Sequence, residues 1–223
     1  MAQTQVTQDA AGEPARLGIF GGTFDPPHLA HLILAQEVAL QLHLARVLFV
    51  PAGVPPHKQG RAVTPAALRV EMVRLAIADN PRFALSPIEV ERAGPSYTVD
   101  TLARLRDEYG PQAQLYLILG GDMARDLVNW HDPGGILRLL TGIAAVQRPG
   151  FAFTAEDLAA LDAQLPGLRA AMVQVVTPQL DISSRMLRSR LAHDLPITYF
   201  VPASVETFIR ARGLYQNEAE GRA

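Results

Sequence analysis

The sequence predicts an α/β fold: a doubly wound, mainly parallel sheet with helices on both faces. Three observations predict it. Short apolar runs recur along the chain, too brief for helices. They are nearly unbroken rather than alternating, as strands buried on both faces are. Longer stretches of helical character lie between them, which implies βαβ crossovers and parallel pairing.

The first strand is LGIFGG at 17–22. HLAHLILAQEVALQLH at 28–43 is too long for a strand and reads as a helix. RVLFVPA at 46–52 is a second strand, stopped by Pro51. A long connection at 51–64 follows, and a loop of that length inside a domain is often functional. PAALRVEMVRLAIADN at 65–80 is an amphipathic helix, with Arg69, Glu71, Arg74 and Asp79 taken as its polar positions. RFALSPIEVER at 82–92 is a third extended stretch. SYTVDTLARLRDEYG at 96–110 is a helix with a polar start and a glycine stop. LYLILGGD at 115–122 is a strand, and Asp122 and Met123 open the segment after it. IAAVQRPG at 143–150 is a strand ended by Pro-Gly. TAEDLAALDAQL at 154–165 is a helix with a Thr cap and acidic first turn. MVQVVTP at 172–178 is the last strand, and helices at 183–193 and 202–213 complete the chain. The pattern is Rossmann-like. It predicts one domain over 17–215, with a polar, mobile N-terminal tail at 1–16 and a C-terminal tail at 216–223.

Composition narrows the function. The chain of 223 residues is 48% hydrophobic and 19% charged, with net charge −2. The balanced charge argues against a bulk electrostatic grip on nucleic acid or an anionic membrane. With no cysteine, a disulfide framework, thiolate catalysis and a cysteine-ligated zinc site are excluded. No secretory segment follows Met1, and no run approaches the roughly 18 apolar residues of a membrane span. The expected location is the cytoplasm. A homo-oligomer is left open.

In a doubly wound sheet, ligands bind beyond the carboxyl ends of the strands. That rule selects 21–31, 51–60, 120–130 and 178–188, which are also the polar, Gly-rich and Pro-rich stretches. At the first, Gly21 and Gly22 let backbone N–H groups approach a ligand. The next helix turns its free N–H groups and positive end toward an anion. His28 and His31 share a helical face and aim two imidazoles at it. The plain alternative is a strand-to-helix turn containing two satisfied histidines. Neither a P-loop nor a dinucleotide fingerprint is present.

GGTFDPPHLAH at 21–31 resembles the signature of the paired-histidine nucleotidyltransferase superfamily. VPPHK (54–58), GPSYTVDTL (94–102), GGDMARDLVNWHDP (120–133) and DISSRMLR (181–188) follow in the order seen in bacterial nicotinate-nucleotide adenylyltransferases. The likeness runs from Leu17 to Tyr215. It implies adenylyl transfer from ATP to nicotinate mononucleotide, with Mg²⁺ accompanying ATP and no protein residue assigned to the metal. It implies a catalytic set of His28, His31, Lys58 and Arg188. ATP contacts are implied at Gly21, Gly22, Thr23, Phe24, Gly120, Asp122, Ser183 and Ser184. Trp130 is the implied platform for the nicotinate ring, and Thr98 the donor to its carboxylate. For Ser183 and Asp122 a helix cap is the plain alternative. For Lys58 it is a solvated lysine, and for Trp130, the only tryptophan, a core position.

Two positions depart from the family pattern. Arg185 stands where Thr or Ser is usual, and Ala30 stands where Gly is common. Arg185 is expected to join Arg188 in a cationic clamp on ATP or pyrophosphate. His57 and Arg148 receive no role. Other readings stay open: a transferase for nicotinamide mononucleotide or phosphopantetheine, or a non-catalytic nucleotide-binding module.

Overall fold

Six apolar segments pair in parallel in the order β3-β2-β1-β4-β5-β6. They are β1 (Arg16–Gly22), β2 (Arg46–Pro51), β3 (Phe83–Leu85), β4 (Gln114–Gly120), β5 (Gly142–Gln147) and β6 (Met172–Val176). The structure, a computed structural model, describes residues 14–54, 63–147, 152–178 and 180–216. The helices are α1 (Leu29–Gln41), α2 (Ala66–Ala76), α3 (Thr98–Tyr109), α4 (Gly121–Asp126), α5 (Pro133–Leu139), α6 (Ala155–Gln164), α7 (Leu168–Ala171), α8 (Ser184–Ala192) and α9 (Ala203–Ala211).

Residues alternate between the two faces of the sheet, and each face has its own core. Phe20, Val47, Phe49, Ile118 and Ala144 pack against α1, α2, α8 and α9. Leu17, Ile19, Leu48, Leu115 and Leu117 pack against α3, α5, α6 and α7. Both faces are therefore covered by helices, as the unbroken apolar runs require. Each fully buried Leu or Phe contributes about 1.5–3 kcal/mol.

β1 lies between β2 and β4, so the chain leaves it toward opposite sides of the sheet. The carboxyl ends of β1 and β4, at Gly22 and Gly120, therefore flank the switch point where such sheets bind ligands.

Several boundaries differ from the sequence reading. β1 begins at Arg16, and Ala15 before it is fully buried, because Gln114 N–H pairs with the Ala15 carbonyl. The extended stretch at 82–92 shrinks to three residues. After Ser86 N–H bonds the Phe49 carbonyl, Pro87 starts a turn closed by Val90 N–H. Three helices, α4, α5 and α7, are additional to those expected. α5 carries a start signal: Asp132 caps it by accepting from Gly135 N–H at 2.9 Å, with Pro133 in the first turn. Arg69, expected on the polar face of α2, is 1% exposed and lies in the core.

Candidate active site

The β1–α1 turn brings the two histidines together. His28 is the N-cap of α1, and His31 lies in its first turn. Their rings stack with centroids 3.7 Å apart and planes inclined by 21°. His28 N–H donates to His31 Nδ1 at 3.2 Å, so a neutral His31 carries its proton on Nε2. That leaves Nε2–H as a donor for an anion. Phe20 and Phe24 meet the His31 ring edge-on, at 6.0 and 5.1 Å. Burial lowers the pKa of His28 to about 4. Burial, and secondarily the neighbouring His28, pushes His31 well below the usual imidazole range. Both rings are therefore neutral near pH 7, and a phosphate beside them is what would favour their charged forms.

The glycines before them differ in role. A side chain at Gly21 would meet nothing within 4 Å, so this position is open at the strand end. A Cβ at Gly22 would stand 2.9 Å from the Phe24 ring. Phe24 itself is buried, with φ at 50°, so any contact it offers a nucleotide is made by its backbone.

α8 is stitched to this turn from the far end of the chain. Ser184 Oγ donates to the Pro26 carbonyl at 2.8 Å, and Arg188 Nη1 to the Asp25 carbonyl at 2.7 Å. The α8 N-terminus, the positive end of its dipole, thus lies against the histidine turn. Ser183 Oγ accepts from Met186 N–H at 3.2 Å, so it does cap the helix. Arg185 lies exposed one residue into α8.

Across the switch point, Gly120 caps α4, and Asp122 is exposed in the first turn rather than at the cap. Arg125 holds α4 to α6 through two hydrogen bonds to Asp157, at 2.9 and 3.1 Å. Trp130 is half-buried against the second core, and its indole N–H is buried without a hydrogen-bond partner. Thr98 is the first residue of α3. The residues beside these two, Tyr97 and His131, stack at 4.2 Å, which brings the α3 start to the tryptophan segment.

The loop after β2 is held by the same α3 start. Gly53 N–H donates to Ser96 Oγ at 3.1 Å, and Ser96 N–H to the Val54 carbonyl at 3.1 Å. A Cβ at Gly53 would sit 2.3 Å from the Glu89 carbonyl oxygen, so only glycine fits this approach. Behind it, Thr101 Oγ1 donates to Glu89 Oε1 at 2.8 Å. Burial pushes the Glu89 carboxyl up, against the hydroxyls of Thr101 and Ser96. Lys58, His57 and Arg148 lie outside the described residues.

Three residues at the site were not singled out by sequence reasoning: Asp25, Arg69 and Tyr215. Asp25 lies inside the motif but looked like part of a Pro-Pro turn. Arg69 had one usable signal, its place on the apolar stripe of α2 with Met72, Val73 and Ala76. Nothing local marks Tyr215.

A family model described as cytidylyltransferase-like matches residues 19–190. A probable nicotinate-nucleotide adenylyltransferase of Thermomicrobium roseum is 46% identical over 203 residues, 91% of this chain and 92% of that protein. Another, of Roseiflexus sp., is 47% identical over 202 residues, covering 91% and 98%. Among solved structures, Plasmodium falciparum nicotinic acid mononucleotide adenylyltransferase complexed with NaAD is similar, with TM-score 0.72 and 18% identity over 90% of this chain and 97% of that one. At that identity, the likeness shows the shared fold.

Proposed function

The chain belongs to the nicotinate-nucleotide adenylyltransferases, within the cytidylyltransferase-like family, and from that premise we propose how its residues divide the work. The reaction is adenylyl transfer from ATP to nicotinate mononucleotide, giving nicotinate adenine dinucleotide and pyrophosphate in NAD biosynthesis. A mononucleotide phosphate oxygen bonds to the α-phosphorus of ATP as the bond to pyrophosphate breaks. Such a step asks for alignment and charge stabilisation more than for covalent help.

His28 and His31 take the triphosphate at the end of β1. The stacked pair, with α8 fastened to its turn, is the observation that carries this reading. His31 donates from Nε2, and the α8 start and Arg188 add N–H donors and positive charge. The backbone at 21–24 lines the phosphates, and Lys58, in the sequence after β2, is assigned to them as a further cation. Gly120 and Asp122 flank the adenosine side of the switch point. Trp130 stacks the electron-poor nicotinate ring, and Thr98 at the α3 start donates to its carboxylate. Arg185, exposed beside Ser184, adds a second cation for the leaving pyrophosphate.

Mg²⁺ arrives with ATP and supplies charge neutralisation at the phosphates. The donor set fits a cation carried this way. Among the described residues no group of three or more His, Asp or Glu is placed to hold a metal. The Asp25 carboxylate already accepts from Tyr215 and Thr64. Mg²⁺ commonly keeps water and phosphate oxygens as most of its ligands. Residues 17–215 act as one domain. Among the described residues no helix is long and apolar enough to cross a membrane. We place the enzyme in the cytoplasm, with its nucleotide substrates.

The test is pyrophosphate release from ATP and Mg²⁺ with each acceptor in turn. Nicotinate mononucleotide should be preferred over the amide, because the amide puts an N–H₂ where an acceptor is wanted. Equal specificity constants for acid and amide would overturn the carboxylate role of Thr98. No release with any acceptor would favour a binding module.

A further inference from the structure

Arg69 is buried on the apolar face of α2, yet its guanidinium bonds the carbonyls of three residues that lie outside every helix and strand. Nε donates to the Thr64 carbonyl at 2.8 Å, Nη1 to Thr23 at 3.0 Å and Nη2 to Gly53 at 3.3 Å. Thr23 follows the two glycines of β1. Gly53 and Thr64 flank the segment that contains Lys58.

Asp25 completes the knot. Its Oδ1 accepts from the Tyr215 hydroxyl at 2.6 Å, and its Oδ2 from Thr64 N–H at 3.2 Å. Its carbonyl takes Arg188, and His28 follows three residues later. Burial lowers the Arg69 pKa from its usual value, and the Asp25 carboxylate and Tyr215 oppose that shift. The Tyr215 hydroxyl is pushed far above the usual phenol range, by burial first and the Asp25 charge next.

A buried guanidinium is a costly way to pack a helix, and an apolar residue of similar volume often serves stability as well. What only the guanidinium can do is fork to several carbonyls at fixed angles. We propose that Arg69, Asp25 and Tyr215 form a positioning unit for adenylyl transfer, holding the His28 turn against the exit from β2 at Gly53 and the entry to α2 at Thr64 so that the paired imidazoles meet the triphosphate in a fixed geometry. The unit does not touch substrate. The proposal rests on the phosphate role given to His28 above.

The test uses the full chain and steady-state kinetics normalised to folded enzyme. Tyr215→Phe deletes one oxygen and should lower kcat by about 3- to 10-fold, on the scale of one hydrogen bond. Arg69→Lys keeps the charge but not the fork, and should lower kcat by about tenfold or more. KM for nicotinate mononucleotide should stay within about twofold in Tyr215→Phe, because that hydroxyl bonds Asp25 and not the Gly53–Ser96 contact beside Thr98. A double-mutant cycle supplies the decisive readout. If Tyr215 acts through the His28 turn, Tyr215→Phe should cost little further kcat in a His28→Ala background.

A merely structural role would lower the melting temperature, leave kcat per folded enzyme unchanged and give additive effects. That result would overturn the proposal even if Arg69→Lys failed to fold, since Tyr215→Phe decides it alone. Normal turnover of His28→Ala would instead overturn the phosphate role of His28, a separate failure.

Discussion

Arg69 and Arg106 make the same kind of contact at opposite ends of the sheet. Arg106, near the end of α3, donates from Nη1 to the Pro111 and Ala113 carbonyls and from Nη2 to Leu139. Ala113 precedes β4, and Leu139 ends α5 just before β5. Arg106 therefore joins turns through which the chain enters strands. Arg69 joins segments by which it leaves β1 and β2 or enters α2. The bonds are alike, but the surroundings are not. Arg106 is half-exposed, whereas Arg69 is buried beside Asp25 and Tyr215. In a parallel sheet ligands bind on the exit side, so the same stitch secures architecture at one end and, as we propose, a reactive geometry at the other.

The largest expected effect lies at the exit end. His31→Ala removes the donor that we propose serves the developing phosphate charge, and should lower kcat at least 10²-fold with the fold retained. Near-normal turnover, measured as pyrophosphate release, would break the assignment of chemistry to this end.

Arg106→Lys sharpens the contrast from the other side. It should cost on the order of 1–2 kcal/mol of stability, because the partly buried carbonyls of Ala113 and Leu139 lose a donor. The melting temperature should fall by several degrees while kcat at 25 °C is unchanged. A kcat loss of the size seen in His31→Ala would erase the distinction between the two ends.

The smallest effect is a pH dependence. The pKa of His28 is about 4 in the fold, below the usual 6.5, so the unfolded chain binds more protons between those values. The stability held by its burial is complete above about pH 6.5 and is lost as pH falls toward 4. Between pH 6.5 and 5.5 this amounts to about 1 kcal/mol. The melting temperature should fall with acid across that range for the natural protein, and less so for His28→Gln. An identical slope in the variant would show that this histidine is not the source.

Much of the site was legible because its residues cluster near strand ends. Gly21, Gly22, His28 and His31 lie within one turn, and their periodicity already placed both imidazoles on one face. Ser183 and Thr154 announced their helices as caps, and both act as caps. Asp122 misled, because an acidic residue after a strand looks like a cap, whereas Gly120 with its extended φ and ψ takes that place. The 82–92 stretch misled for a related reason. Its apolar residues fit a strand, but Pro87 cannot donate to a ladder and turns the chain away.

What the sequence by itself determined is the set of strands, their parallel pairing and the rim on which the motifs fall. These follow from local apolar periodicity and turn chemistry, which each segment carries alone. Only the tertiary structure decided that Arg69 points inward, that Arg188 and Ser184 fasten α8 to the 25–26 turn, and that Tyr215 closes on Asp25 across 190 residues. An arginine on a helix has water as its default partner. It is drawn into a core only when several carbonyls and a carboxylate from distant segments converge to replace that water. Such a convergence is a property of the packed sheet and its loops, not of any stretch of the chain.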